Sequence, residues 1–445
     1  MSLLQRGAMG AAAILIAVGM TAPAASAART DGVLVQHDDG RITVEHRTAV
    51  SGVTGFAQRT TRRSGVRFAE PNHRYAAAAA PTDPLFTEQW SLADDTVMGA
   101  GPAWDQTVGG DVTVAVIDSG VDASHPDLAQ NIWTNPSEIP GNGIDDDANG
   151  FVDDTSGWNF VANSPNAGDD NGHGTHVAGI LGAKGGNGIG VAGVAWNVKI
   201  MPIKVLDASA IGSASTLALG IRYAVANGAK IINLSVSGPG YSRAFEEAVQ
   251  LASDSGVLVV GAAGNDGRSV DEAPVYPAAF QAPLMLAVSA TAPGGGLSPV
   301  SNYGAGHVEI AAPGQDIVST ATGGGYERRT GTSMATPHVA GGLVLLAAAR
   351  PDLGPAGWRE ALLSTARRGL PVATGSLNLS GALQRALGVS YKSTLKPRGA
   401  SLKRTACALR KAKALSSATR KRNRGELFLR AAKCTSSVGG ASLGL

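Results

Sequence analysis

Cysteine is scarce in this chain of 445 residues: there are two, Cys407 and Cys434, both near the C-terminus. The body therefore cannot be held by a disulfide framework, and it has no thiolates with which to build a structural zinc site. Charged residues make up 16% and aromatic residues 5%, against 44% hydrophobic. That balance excludes a self-repelling disordered chain, and the length suffices for a large core and more than one domain. Long apolar runs are missing as well. The best, Ala8 to Met20, falls short of the roughly 20 residues that a membrane-spanning helix needs. Histidine is also rare, with eight in all, so any catalytic base comes from a short roster.

The net charge of +2 conceals an asymmetry. Residues 81–388 hold 14 Lys and Arg against 29 Asp and Glu, whereas residues 389–445 hold 14 against Glu426 alone. An acidic body with a basic tail is the better description. Residues 1–27 read as a secretory signal: Arg6, the apolar run, then Ala25-Ser26-Ala27 as a small-residue cleavage site. A soluble, exported protein follows. Residues 28–80 hold short strand-like runs ("GVLVQH", "RITVEHR", "GVRFAE") and end in "RYAAAAAPTDP", an exposed linker suited to processing between Tyr75 and Thr82.

The pattern changes from Asp111. "DVTVAVID", "VKIMPIKVL", "AKIINLSV" and "GVLVVGAAG" are near-continuous apolar, β-branched runs, as parallel strands buried on both faces are. Helical stretches alternate with them at His176–Ala183, Ser213–Ala226, Ser242–Ser253 and Met334–Ala349. The pattern predicts a doubly wound α/β domain over residues 81–388, with its site beyond the carboxyl ends of the strands. The tail, 389–445, reads as helical, basic and separate.

Ser333 lies in "RTGTSMATPHVAGG" and needs a base within reach to become a nucleophile. His338 follows too closely: five residues along a helix place the two roughly 140° apart around the axis. His37, His46 and His73 precede the processing point; His125 sits in a turn and His307 before a strand. His173, flanked by Gly172 and Gly174 in "NGHGTHVAGI", is the better base, and Asp118, closing a strand, suits the carboxylate that orients it. A zinc reading of His173 and His176 lacks the glutamate of an HExxH motif.

"VAVIDSGVDASHPDL", "NGHGTHVAGI" and "GTSMATPHVAGG" resemble, in that order, the active-site blocks of the subtilisin-like serine peptidases. The likeness runs from about Asp83 to Gly388. It implies a three-layer sandwich with a mainly parallel central sheet, and Ser333, His173 and Asp118 as nucleophile, base and orienting acid. By the same resemblance Asn265 in "VVGAAGNDG" is an oxyanion donor. The stretch around Ser235, Val236 and Ser237, together with Gly264 and Val275, binds an extended substrate. Ser237 and Val275 point to a modest substrate side chain in the main pocket.

Calcium is the expected cofactor. Asp145, Asp147, Asn149, Gly150 and Asp153 match the first part of an EF-hand-like loop, although Ser156 replaces the glutamate at position twelve. Either Asp153 or Asp154 completes the shell, or the loop is an acidic solvated turn. The resemblance adds a second site from Asp83, Asp127 and Asn187, and makes residues 28–80 a small α+β inhibitory propeptide. The basic tail suits an anionic partner such as cell-wall polymer or the chain's own acidic body, or is a solvated helical hairpin clipped by a Cys407–Cys434 bond. Nucleic acid is not an expected partner, and a monomer is. A catalytically silent relative that binds peptides in the same groove is the competing reading, although here all three triad residues and Asn265 are present.

Overall fold

The structure, a computed structural model, describes residues 30–45, 53–73 and 80–388. The signal, most of the processing stretch and the basic tail with both cysteines lie outside the described residues. The N-terminal module is α+β, as expected. Strand β1 (Thr30–His37) lies between β2 (Ile42–Glu45) and β3 (Val66–His73), antiparallel to both. Helix α1 (Val53–Thr60) adds Ala57 to a small core with Val33 and Val35.

The body begins with two short helices, α2 (Trp90–Ala93) and α3 (Ala100–Trp104). Its strands are β4 (Gly109–Asp118), β5 (Trp158–Asn159), β6 (Asn197–Lys204), β7 (Ile231–Leu234), β8 (Leu258–Ala262), β9 (Met285–Thr291) and β10 (Ile310–Pro313). A hairpin of β11 (Ile317–Ala321) and β12 (Gly325–Arg329) follows, and β13 (Gly375–Ser376) comes last. Eight of them form one sheet in the order β13-β10-β9-β8-β7-β4-β6-β5, with parallel pairing throughout. The intervening helices are α4 (His173–Gly182), α5 (Ala214–Ala226) and α6 (Arg243–Asp254), then α7 (Thr332–Ala349), α8 (Gly354–Ser364) and α9 (Leu379–Ala386).

Alternation along β4 explains the layers. Val114 and Val116 point into a core with α4, α7 and α8, while Ala115 and Ile117 join α5 and α6 on the opposite face. A strand covered on both sides has no wet face, so its run is apolar throughout. From β4 the chain moves outward to β6 on one side and to β7 on the other. This reversal opens a crevice at the carboxyl ends of those strands.

Two helices begin earlier than the sequence suggested. Helix α4 starts at His173 and α7 at Thr332, so Pro337 sits inside α7 rather than at its start. Helix α7 is apolar nearly all round because both the sheet and α8 and α9 surround it. Leu343, fully buried there, predicts a simple test: Leu343→Ala should cost about 2–5 kcal/mol through lost burial and a residual cavity. A lowered urea midpoint with an unchanged slope would show it.

Candidate active site

Asp118 is the last residue of β4 and is fully buried. Its Oδ1 accepts from the Ser119 amide at 2.7 Å and pairs with His173 Nδ1 at 2.7 Å. His173 opens α4 after Gly172, whose φ of 93° lies in the left-handed region that glycine tolerates best. Gly174 allows the close approach: a Cβ there would lie 2.0 Å from the Gly120 carbonyl oxygen. Asp169, which carries no motif of its own, fastens the two elements together. Its carboxylate accepts from Ser119 Oγ, from the amides of Asn171, Gly172 and Thr175, and from Thr175 Oγ1. Ser119 Oγ in turn accepts from the Gly174 amide. Burial works to lower the pKa of His173, but the charge and hydrogen bond of Asp118 outweigh it and hold the imidazole above its ordinary value.

Ser333 occupies the first turn of α7. Its hydroxyl donates to the Ser235 carbonyl at 3.0 Å, so in this structure it is turned to β7's outgoing segment and not bonded to His173. The serine's own carbonyl is also held from there. Pro337, four residues on, has no N–H to offer it, and Ser235 Oγ donates instead at 2.9 Å. Asn233, fully buried, donates to Ser235 Oγ at 2.9 Å and fixes that hydroxyl. A helix defect thus becomes a cross-link to the cleft.

Asn265 follows β8 and is exposed. Its Oδ1 accepts from the amide and hydroxyl of Thr332 at 2.8 and 3.0 Å. With the oxygen so engaged, Nδ2 is left as an oriented donor beside the serine's helix start. Gly264, with φ of 99°, has no room for a side chain: a Cβ would lie 2.5 Å from Asn302 Nδ2. Asn302 is fully buried and accepts from the amides of Asp266 and Arg268, shaping the loop on which Asn265 stands. Thr332 and Asn302 carry no sequence signature of this role, because their partners are distant in the chain.

His173, Ser235, Val236 and Ser237 line one cleft of about 440 Å³, walled by Leu206, Leu217, Phe245 and Tyr276. Gly238 pairs with Tyr276 through both backbone bonds, which anchors the far end of the 235–237 segment. Val275 does not line the cleft; it is buried beneath Gly264. A second cavity, of about 540 Å³, is lined by Val121 and Asp122 of the segment after β4 and by Asp169, Asp170 and Lys204. The ammonium of Lys204 is buried, donating to the carbonyls of Ser119 and Leu206 and to Asp170.

The other histidines of the body are used locally. His338 Nδ1 bonds the Met334 carbonyl and Nε2 meets Ser91 Oγ, fully inside the core. His176 Nε2 lies at 3.1 and 3.2 Å from the carbonyls of Ile317 and Glu327. His125 contacts the Gly325 carbonyl, and His307 contacts Asp271.

Two groups of oxygen ligands form where calcium was expected. Asp83 is buried, and its Oδ2 accepts from Gly186, while Asp127 accepts from Asn187 Nδ2, Val191 and Tyr326. Asp83 Oδ1 is buried without a donor, and burial followed by the Asp127 charge raises the Asp83 pKa. A cation fits there. In the acidic loop, Asp145 and Asp147 come together with Glu138, which the sequence reading missed. Asn149 Nδ2 donates to Asp147 and Asp154. Asp153 turns away, accepting from the amides of Asn142 and Gly143.

Fold and site together define a class, the doubly wound α/β proteins with a serine at the carboxyl edge of a parallel sheet. Residues 109–390 match the model of the subtilase family, Peptidase_S8. The chain is 39% identical over 283 residues to the thermophilic serine proteinase of Bacillus sp. (strain AK1), covering 63% of each chain. It is 38% identical over 267 residues to thermitase of Thermoactinomyces vulgaris, covering 60% of this chain and 85% of that one. A solved structure described as proteases from Pseudoalteromonas arctica PAMC 21717 superposes with a TM-score of 0.58 at 31% identity. It covers 69% of this chain and 100% of its own. The chain belongs to the subtilase family. It spans just under two thirds of the length of the thermophilic serine proteinase.

Burial lowers His176 to about 3 and His338 to about 4. Both stay neutral in the folded state, while in the unfolded chain they take up protons near pH 6.5. Their contribution is therefore complete above about pH 6.5 and is lost progressively as the pH falls toward 4 and 3; His173, raised, runs the other way. We expect urea midpoints to drop between pH 7 and 5, and His338→Asn to flatten that dependence. An unchanged slope in this variant would remove His338 as a source of acid sensitivity.

Proposed function

We propose that the chain is a secreted serine endopeptidase made as a zymogen. The observation that carries this reading is the 2.7 Å bond from buried Asp118 to a His173 that lines the same cleft as Ser235, the residue bonded to Ser333. Family membership supports it. As substrate enters, Ser333 Oγ leaves the Ser235 carbonyl by rotating about its Cα–Cβ bond and engages His173 Nε2. Oγ attacks the peptide carbonyl carbon, its proton passes to Nε2, and the carbonyl π pair becomes the oxyanion. Asn265 Nδ2 and the Ser333 amide stabilise that charge. Collapse breaks the C–N bond while His173 returns the proton to the leaving amine; water then repeats the two steps on the acyl-enzyme. Asp118 keeps Nδ1 protonated and balances the imidazolium without itself taking a proton.

The substrate runs extended along Ser235 to Ser237 as an added strand, with an apolar side chain in the cleft between Leu206 and Phe245. Residues 28–80 act as the inhibitory propeptide, removed between Tyr75 and Thr82. Calcium held by Asp83, Asp127 and Asn187 ties the start of the mature chain to the 186–191 loop, and binding to the folded state alone stabilises it. A second calcium belongs to the acidic loop. The basic tail contacts an anionic cell-wall polymer, and the body acts as a monomer on protein substrates.

A fluorophosphonate probe tests the chemistry: it should label Ser333 in the mature protein and leave Ser333→Ala unlabelled. Asn265→Ala should lose about 10²–10³ in kcat, and Asp118→Asn about 10⁴. Without its anion, His173 loses what raises its pKa, so the acidic limb of residual activity in Asp118→Asn should move to lower pH. Absence of labelling in the native protein would leave a silent, peptide-binding relative as the answer. N-terminal sequencing of mature protein checks the processing site, and a start outside residues 76–82 would count against it.

A further inference from the structure

The loop between β4 and β5 gathers Glu138, Asp145, Asp146, Asp147, Asp153 and Asp154, and no ion pair among the described residues involves any of them. One carboxylate oxygen each from Glu138, Asp145 and Asp147 lies within 4.8 Å of the others. That is about twice a calcium–oxygen bond of 2.3–2.6 Å, the greatest spacing two ligands of one ion can have. Glu138 is only 7% exposed, and its Oε2 is buried with no donor, while Oε1 accepts from the amides of Asp146 and Asp147. A buried, half-satisfied carboxylate beside two others is costly unless a cation joins them.

We propose that Glu138 is the carboxylate ligand that closes a calcium site with Asp145 and Asp147, supplying from seven residues upstream what the loop lacks at its twelfth position. This rests on the calcium reading above and changes its composition. Asp153 shapes the turn, its two oxygens taken by Asn142 and Gly143. Asp154 is a core anchor. It is fully buried, accepting from Asn135, Asn149 and the hydroxyl of Tyr223 on α5. Both of its oxygens are thus already engaged by protein donors. The ligands are all oxygen, which favours a hard cation, and the irregular loop suits calcium better than octahedral magnesium. Phe151 packs against Trp158 and Tyr223 with ring centroids 5.0 Å away in each case. Cation binding in the loop is thereby coupled to the α5 side of the core.

Calcium-stripped full-length protein carrying Ser333→Ala, to prevent self-digestion, is titrated with calcium by calorimetry. Tyr and Trp sensitisation of terbium luminescence is read in parallel. We expect Glu138→Gln to lose one site, or to weaken it at least tenfold, and Asp153→Asn to bind as the parent does. The idea is overturned if Glu138→Gln binds like the parent, or if Asp153→Asn loses the same site. Should Glu138→Gln fail to fold, a terbium-soaked crystal of the parent decides through an anomalous peak bonded to Glu138, Asp145 and Asp147, or its absence there. A parent that binds no calcium at all sinks the whole calcium reading. A parent that binds only at Asp83 and Asp127 sinks this proposal alone.

Discussion

One buried anion governs the arrangement of the site. Asp118 sits at the end of a strand with no exposure, and the stabilising partners of its Oδ1 are a backbone amide and the imidazole of His173. A carboxylate so placed is stable only while those partners remain. The surroundings accordingly hold them in place: Gly174 lets α4 start against β4, and Asp169 fastens the strand end to the helix start. Lys204, registered beside Asp118 in the neighbouring strand, grips the next carbonyl.

The sheet supplies the second requirement, convergence. Asp118 closes β4, and Ser235 and Asn265 lie just past the carboxyl ends of β7 and β8; the three strands are adjacent in the sheet, although β4 lies over a hundred residues before the other two in the chain. Two helices bring His173 and Ser333 to the same edge in their first turns. There the helix dipole favours negative charge.

Much of this was legible in the sequence, for physical reasons that differ by element. Strands covered on both faces must be apolar at every position, so β4, β6, β7 and β8 stood out as runs. Helices α5 and α6 began where Ser213 and Ser242 act as caps, each accepting from an amide three residues on. Helix α4 was misjudged by three residues because its N-cap is a glycine, which leaves no side-chain signal. The blocks that hold Asp118, His173 and Ser333 are local in sequence and so could be picked out. Asp169, Thr332 and Asn302 could not, since each acts through partners that only folding brings close. Glu138 escaped for the same reason: the loop pattern counts forward from Asp145, and the missing carboxylate lies behind it. His338 shows the reverse case: spacing argued against a catalytic part, and the structure buries it against Met334 and Ser91.

The proline inside α7 has a wider meaning. Because Pro337 leaves the Ser333 carbonyl open and Ser235 takes it up, Ser333 is moored to the sheet's edge as much as to its own helix. Slow sliding or swelling of the interior around α7 is then not passed on in full to the hydroxyl.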